Sequence, residues 1–218
     1  MRQEIDIEID RAALTAVAAE RGIYLDAQGV RGNPPVVVGI LVEEHLDQVI
    51  FDTDFADAAL AKELRINSME SEMRSLLQLA REEERFVFGF SPGCLDMAGP
   101  AEVDELRRLF VDGQQLGTAW RRRESSTNRG SSSCRRSGSS RRSDLNLGDL
   151  LRMSGASCPS GLDGKTTSKR LRDVRAMMRS RGSYEAMTAV GKGKWTNLLK
   201  QNRARCEGLR TLMLAVVD

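Results

Sequence analysis

The sequence predicts an α/β protein, with a mixed β-sheet and flanking helices that are interrupted by a disordered basic insert. Three observations support this fold class: short apolar segments near the start of the chain, apolar residues at helical spacing further along, and a long stretch without any aliphatic or aromatic residue. The chain has 218 residues, of which 40% are hydrophobic and 29% charged, so it is long and apolar enough to form a packed core.

Three apolar segments in the first quarter of the chain predict three antiparallel strands. They are residues 22–26, residues 35–42, which are rich in β-branched side chains, and residues 45–52. The gaps between them carry turn-forming or charged residues, namely Gly29, Gly32, Asn33 and Pro34 in the first gap and Glu43 and Glu44 in the second. Turns in both gaps join consecutive strands, which is why we expect the three strands to be antiparallel.

The next part of the chain predicts helices on either side of a fourth strand. Residues 56–64 predict one or two helical turns, and Ser68 is a candidate N-cap for a longer helix that ends near Glu84. Residues 85–90 predict the fourth strand, and another helix, with Phe110 on its apolar face, begins beyond it. A helix between the third and fourth strands predicts a right-handed crossover, which makes the fourth strand parallel to an earlier one.

The predicted domain falls into three parts. Residues 1–118 form the first part of the α/β domain, residues 119–144 form a disordered insert rich in Arg and Ser, and residues 145–218 form the helical C-terminal part of the same domain. The insert is expected to be disordered because it has almost no apolar side chain whose burial would offset the entropy of ordering. The C-terminal part predicts a short helix, a basic helix over residues 167–179 and a final helix over residues 195–217.

The charge distribution predicts a polyanionic partner. Between Arg121 and Arg142 the chain has eight arginines and one glutamate, a local charge of +7, whereas the whole chain carries only +2. A solvated linker is the alternative, and the absence of aromatic residues there argues against base stacking. The candidate nucleic-acid-binding residues are Arg121, Arg122, Arg123, Arg135, Arg136, Arg141 and Arg142 of the insert and Lys169 and Arg170 of the basic helix.

Composition excludes several other classes of protein. No apolar segment approaches the roughly 20 residues that span a bilayer, and the first ten residues alternate charge with isoleucine rather than forming a signal sequence. The four cysteines are widely spaced, which argues against a disulfide framework or a zinc knuckle. We therefore expect a cytoplasmic protein without a membrane partner.

Three short motifs carry the strongest functional signal. Residues 23–29 (IYLDAQG) put Asp26 and Gln28 on the first strand, and residues 90–96 (FSPGCLD) put Asp96 just beyond the fourth strand. In the final helix, the segment NRARCEGL carries Arg205.

These motifs resemble those of the DEDD-type 3′–5′ exonucleases of the ribonuclease H-like superfamily, in particular the RecB-associated predicted nucleases. Three antiparallel strands followed by a parallel strand are also the opening of the ribonuclease H fold. The resemblance covers residues 22–110 and 145–215, and it implies a ribonuclease H-like mixed sheet. In this family, four carboxylates hold two divalent metal ions, which activate a water molecule and stabilise the leaving oxygen.

The resemblance implies that Asp26 and Asp96 are the catalytic and metal-binding acids, with Mg²⁺ or Mn²⁺ as the cofactor if the protein is active and none otherwise. Gln28 stands where the family has a glutamate, and Arg205 stands where it has an aspartate. An amide does not neutralise a cation, and a guanidinium cannot become a metal ligand. Glu207 is turned about 200° away from Arg205 around a helix, so it does not replace the missing acid.

We therefore expect a nucleic-acid-binding, ribonuclease H-like domain with weak or no nuclease activity. One alternative is an active metal-dependent nuclease whose remaining ligands come from elsewhere. Another is a structural domain that binds a protein partner, in which Asp26 and Asp96 only end strands and cap turns.

A second acidic cluster, formed by Asp52, Asp54 and Asp57, follows the third apolar segment. Similar clusters occur in nucleoside hydrolases and in haloacid-dehalogenase phosphatases, but there they follow the first strand. The competing interpretation is structural, with Asp54 capping a helix and Asp57 interacting with the helix dipole. His45, the only histidine, is expected on an exposed strand turn.

Overall fold

The computed structural model describes residues 14–30, 33–100, 102–127, 145–162 and 167–217, apart from the side chains of Pro92, Asp96 and Thr127. Within these ranges the strands are β1 (Ile23–Gly29), β2 (Pro35–Val42), β3 (His45–Ile50), β4 (Arg65–Ile66), β5 (Val87–Gly89) and β6 (Phe110–Asp112). The helices are α1 (Ala16–Glu20), α2 (Ala56–Leu60), α3 (Met69–Glu82), α4 (Val103–Leu109), α5 (Gly113–Thr127), α6 (Leu147–Met153), α7 (Thr167–Arg181) and α8 (Ala189–Val216). None of these helices combines the length and apolar character needed to cross a bilayer.

The strands form one mixed sheet in the order β4-β3-β2-β1-β5-β6. β1 is antiparallel to β2, and β2 is antiparallel to β3, so Ile23 lies opposite Val42 and Val42 lies opposite His45. β5 is parallel to β1, and β6 is parallel to β5. The predicted α/β class, the three antiparallel strands and the parallel strand after the α3 crossover are confirmed.

One face of the sheet packs against α3 and α4. The buried side chains there form a single apolar cluster that includes Ile23 and Leu25 of β1, Met73 of α3 and Leu106 of α4. Helix α3 begins at the predicted cap, where the Ser68 hydroxyl accepts a hydrogen bond from the Ser71 N–H at 3.1 Å.

The opposite face carries two separate apolar clusters. The first, which we call the α7 cluster, brings Val37 and Ile50 of the sheet together with Leu171 of α7 and Trp195 of α8. The second, which we call the α6 cluster, brings side chains of the sheet together with those of α6 and α8, namely Tyr24, Leu41, Leu150, Leu151, Leu209 and Leu212. Helix α8 contributes to both clusters, so it crosses the sheet and joins the two halves of this layer.

Helix α5 corrects the predicted start of the disordered insert. The helix extends to Thr127, so Arg121, Arg122 and Arg123 are helical, and their side chains are exposed. The sequence pattern did not predict these helical residues because they have no apolar side chains that would start a helix. A helix that has already formed on packed residues can extend into them, since each added residue contributes one hydrogen bond. Residues 128–144, with Arg135, Arg136, Arg141 and Arg142, lie outside the described residues.

Two short strands were not predicted. Phe110 was assigned to the helix before it, but α4 ends at Leu109 and Phe110 begins β6, where its side chain is fully buried. β4 has only two residues, both exposed, so it carries no alternation of apolar and polar residues from which a strand is predicted.

A row of polar and small residues crosses three strands between the two apolar clusters. Asp26 lies opposite Gly39, and Gly39 lies opposite Gln48. On one side of this row Tyr24 and Leu41 belong to the α6 cluster, and on the other side Val37 and Ile50 belong to the α7 cluster. The row, which we call the polar row, therefore lies directly beneath the crossing point of α8.

The close approach of α8 requires glycine at position 39. A Cβ atom at Gly39 would clash with the Asn202 Oδ1 atom and would lie 2.9 Å from the Cys206 Sγ atom, both on α8. A side chain here would push the helix away from the sheet, and the contacts of both apolar clusters would change with it.

We predict that Gly39→Ala lowers the free energy of unfolding by about 1–3 kcal/mol, the usual cost of overpacking a core. Urea denaturation with an unchanged m-value would measure this change. Gly193→Ala is the matched control, because a Cβ atom there meets nothing within 4 Å. Since alanine favours the helix, the control should gain about 0.5–1 kcal/mol. Equal effects of the two substitutions would contradict the close approach at Gly39.

Candidate functional site

Asp26 is the centre of the candidate site. It lies on β1, opposite Gly39 of β2, and only 6% of the residue is exposed. Three side chains donate hydrogen bonds to its carboxylate: Gln28 Nε2 at 2.9 Å, Asn202 Nδ2 at 3.1 Å and Arg205 Nε at 2.6 Å. These bonds offset the cost of removing a carboxylate from water.

Asn202 connects β1 and β3 to α8 through one buried side chain. Its Nδ2 atom donates to both the backbone oxygen of Asp26, at 2.8 Å, and the Asp26 carboxylate. Its Oδ1 atom accepts a hydrogen bond from Gln48 Nε2 at 2.8 Å, and the same Gln48 nitrogen donates to the Leu199 oxygen at 2.9 Å. Because Asn202 is fully buried, its amide is a fixed link between α8 and the polar row.

Arg205 supplies the positive charge that balances Asp26. Its Nε atom lies 2.6 Å from Asp26 Oδ1, and a quarter of its side chain is exposed. The neighbouring Asp26 carboxylate raises the pKa of the guanidinium, against the effect of burial, so Arg205 keeps its positive charge. Its Nη atoms make no further hydrogen bond within the part of the chain that the structure describes.

Two buried thiols flank the carboxylate. Burial raises the pKa of the Cys94 thiol to about 12, and the negative charge of Asp26 acts in the same direction. Burial, and then the charge of Asp26, also raise the pKa of Cys206. Both cysteines therefore remain protonated thiols at neutral pH, and neither has the properties of a thiolate nucleophile.

The described side chains do not fit a divalent metal ion. Both carboxylate oxygens of Asp26 already accept hydrogen bonds, and the guanidinium of Arg205 lies against one of them. The Gln28 Oε1 atom is buried without a hydrogen-bond partner, but a single amide oxygen beside one paired carboxylate is a poor ligand set. Across the described ranges, which leave out the Asp96 side chain, no three His, Cys, Asp or Glu residues form a group able to hold a metal.

The structure brings three of the four motif positions together. Gln28 and Arg205 both contact Asp26, in the geometry that the resemblance implied. Asp96 lies in the 3-10 turn Pro92–Met97 after β5, where the second motif was expected, but its side chain lies outside the described residues. The roles of these residues in catalysis or metal binding stay predictions.

The basic helix α7 is less available to a ligand than its sequence indicates. Arg175 contacts Asp52 and lies 3.2 Å from Asp54, while Arg179 donates to Asp54 at 2.7 Å. At the start of α7, Lys169 is exposed, whereas Arg170 is half-buried and donates to Gln201 Oε1 at 3.2 Å. Among the described residues, the exposed cations of α7 that make no ion pair are Lys169, Arg172 and Arg181.

The second acidic cluster has a structural role. Asp52, rather than Asp54, caps the turn after β3, accepting the Asp54 N–H at 2.9 Å, which corrects the predicted cap. Asp57 accepts a hydrogen bond from the Tyr184 N–H. Together with the pairs that Arg175 and Arg179 make, these contacts hold α7 and the loop after it against the end of β3.

His45 is exposed at the start of β3, directly after the turn that joins β2 to β3. Its Nε2 atom lies 3.2 Å from Asp47 Oδ1, on the surface of the domain. The predicted exposed position is confirmed.

Comparison with protein-family models, with curated proteins and with solved structures gives no significant match. The candidate site therefore depends on its own geometry.

Sequence reasoning missed three residues that shape the site. Gly39 interrupts an otherwise apolar strand, which is a signal of close backbone approach. Gln48 had no comparable signal, because its partner Asn202 is distant in sequence. Asp112 ends β6 and accepts the Gln115 N–H at 2.9 Å, and burial raises its pKa. It was hidden by the assignment of Phe110 to a helix.

We predict that Arg205→Met lowers the free energy of unfolding by about 3 kcal/mol, because it leaves the buried Asp26 carboxylate without a counter-charge. The double variant Asp26→Asn with Arg205→Met should recover most of that loss, since no charge is then left unpaired. Urea denaturation of the four proteins of this double-mutant cycle measures the coupling. Additive losses in the double variant would show that the ion pair does not hold the site together.

Proposed function

We propose that this chain is a ribonuclease H-like domain, related to DEDD-type 3′–5′ exonucleases, that binds nucleic acid and has weak or no metal-dependent nuclease activity. The observation that carries the proposal is the contact between the Arg205 guanidinium and Asp26, at 2.6 Å. Arg205 is at the position of a motif acid, and Asp26 is at the position of another.

The fold supports the relationship. Three antiparallel strands, β1 to β3, are followed by the α3 crossover and by β5, which is parallel to β1. Asp26 is on the central strand β1, Asp96 follows β5, and Arg205 is on the final helix α8, in the order that the family motifs require. The order of the motifs in the chain and the contacts that Gln28 and Arg205 make with Asp26 both support common ancestry.

The electrostatics support the loss of cleavage. Two-metal cleavage depends on carboxylates that hold two cations roughly 4 Å apart and neutralise their charge. Here the guanidinium already neutralises Asp26, and it cannot lose its proton to make room for a cation. A metal ion would have to displace Arg205 and break a short, charge-assisted hydrogen bond before it could bind.

The distribution of positive charge supports nucleic acid as the partner. Arg121, Arg122 and Arg123 are exposed at the end of α5, at the start of the stretch in which the arginines concentrate. Lys169 adds an exposed cation at the start of α7. Contacts of this kind with phosphate groups give salt-dependent affinity without reading sequence.

We predict that the purified chain does not degrade single-stranded DNA or RNA above the level of an enzyme-free control, with either Mg²⁺ or Mn²⁺. Gln28→Glu combined with Arg205→Asp should increase Mn²⁺ affinity in calorimetric titrations, because it restores two carboxylates beside Asp26. Gln78→Glu combined with Arg108→Asp is the matched control: it changes the same residue types on α3 and α4, on the opposite face of the sheet, and should leave Mn²⁺ binding unchanged.

Robust cleavage by the unmodified chain that is abolished by Asp26→Asn would contradict the proposal. If Asp96→Asn or Asp112→Asn abolished it as well, those acids would complete an active metal site. Cleavage that survives Asp26→Asn and Asp96→Asn would mean that the catalytic site lies elsewhere. A chain that binds neither DNA nor RNA at low salt would instead favour a structural domain with a protein partner.

A further inference from the structure

A groove with a volume of about 530 Å³ lies on the solvent side of α8, beside the start of α7. Three cations line it: Arg170 of α7 and Lys200 and Arg203 of α8. The side-chain amides of Asn197 and Gln201 and the carboxylate of Glu207 also line the groove. Ala204 also lines the groove.

The cations of the groove differ in how firmly they are held. Arg170 is fixed, because its Nη1 atom donates to Gln201 Oε1 at 3.2 Å, and the same oxygen accepts the Thr167 hydroxyl at 3.1 Å. Arg203 and Glu207 lie 3.7 Å apart with exposed side chains, a pairing that contributes little and is easily exchanged for a phosphate. Lys200 is exposed, and no carboxylate lies within salt-bridge distance of it among the described residues.

The arrangement fits a chain of phosphates better than a single anion. Lys200 and Arg203 are three residues apart on α8, which separates them by about 4.5 Å along the helix axis. Two cations at different heights on the helix can contact different phosphates of one strand, whereas a single small anion would use only one of the two charges. None of the described residues that line the groove is aromatic, so bases have no stacking partner within it.

We propose that this groove binds the phosphate backbone of single-stranded nucleic acid, with Lys200, Arg203 and Arg170 as the contacts. The inference rests on the proposed function and names the surface through which that function would act. Recognition is through charge, so DNA and RNA of different sequence bind with similar affinity.

The test compares two double variants of the full chain that carry the same net charge. Lys200→Gln with Arg203→Gln removes two cations from the groove, and Lys62→Gln with Arg108→Gln removes two exposed cations that do not line it. Fluorescence anisotropy with labelled oligothymidylate and oligouridylate, over a range of salt concentrations, gives the affinity and its salt dependence. All four substituted side chains are exposed, so both variants should keep the unfolding midpoint of the parent chain.

We expect the groove variant to reduce the slope of log affinity against log salt by about 1.4, the value for two lost single-strand phosphate contacts, while the control changes it much less. Equal losses in both variants, with binding retained by the parent, would overturn the groove and leave the proposed function intact. No binding by the parent chain at low salt would overturn the proposed function itself. Binding to vesicles rich in phosphatidylserine that depends on Lys200 and Arg203, without nucleic acid binding, would assign the groove to a membrane surface.

Discussion

The hydrogen bonds of Asn202 are the constraint on which the rest of the structure depends. Helix α8 joins two apolar clusters, and between them it crosses the polar row of the sheet at Gly39. There the buried amide of Asn202 holds the backbone and carboxylate of Asp26 and accepts a hydrogen bond from Gln48. Without a Cβ atom at Gly39 the helix approaches closely enough for these bonds to form, and they in turn determine how α8 sits on the sheet. The position of Arg205, one turn further along α8, follows from this crossing.

The same crossing explains the chemistry of the site. A buried carboxylate needs a counter-charge, which is either a bound cation or a basic side chain. Arg205 provides it here, and the bonds from Gln28 and Asn202 satisfy the other carboxylate oxygen. The site is consequently neutral overall and internally hydrogen-bonded, which favours stability and disfavours the capture of metal ions. The cations of the groove lie instead on the solvent side of α8, where they remain accessible to an external polyanion.

The sequence predicted the parts of this structure that depend on local patterns. The β-branched run of β2, the Ser68 cap of α3 and the concentration of arginine after residue 120 follow from composition and spacing. The helix α5, which includes Arg121 to Arg123, does not. The contact of Asp26 with Arg205 was accessible only through the family resemblance, because 178 residues separate them in the chain. Gln48 and Asp112 had no signal of either kind, since their environment is created by strand pairing. The ion pairs of Arg175 and Arg179 with Asp52 and Asp54 could not be predicted either, because the partners are far apart in sequence and meet only in the folded chain.

The central claim is that the guanidinium of Arg205, and not a metal ion, balances the charge of Asp26. The most direct test is a crystal of the full chain soaked in MnCl₂ and measured at the manganese absorption edge. The account predicts no anomalous peak at Asp26, with Arg205 Nε still hydrogen-bonded to Asp26 Oδ1. A manganese peak coordinated by Asp26 together with Asp96 or Asp112, with Arg205 displaced, would contradict it.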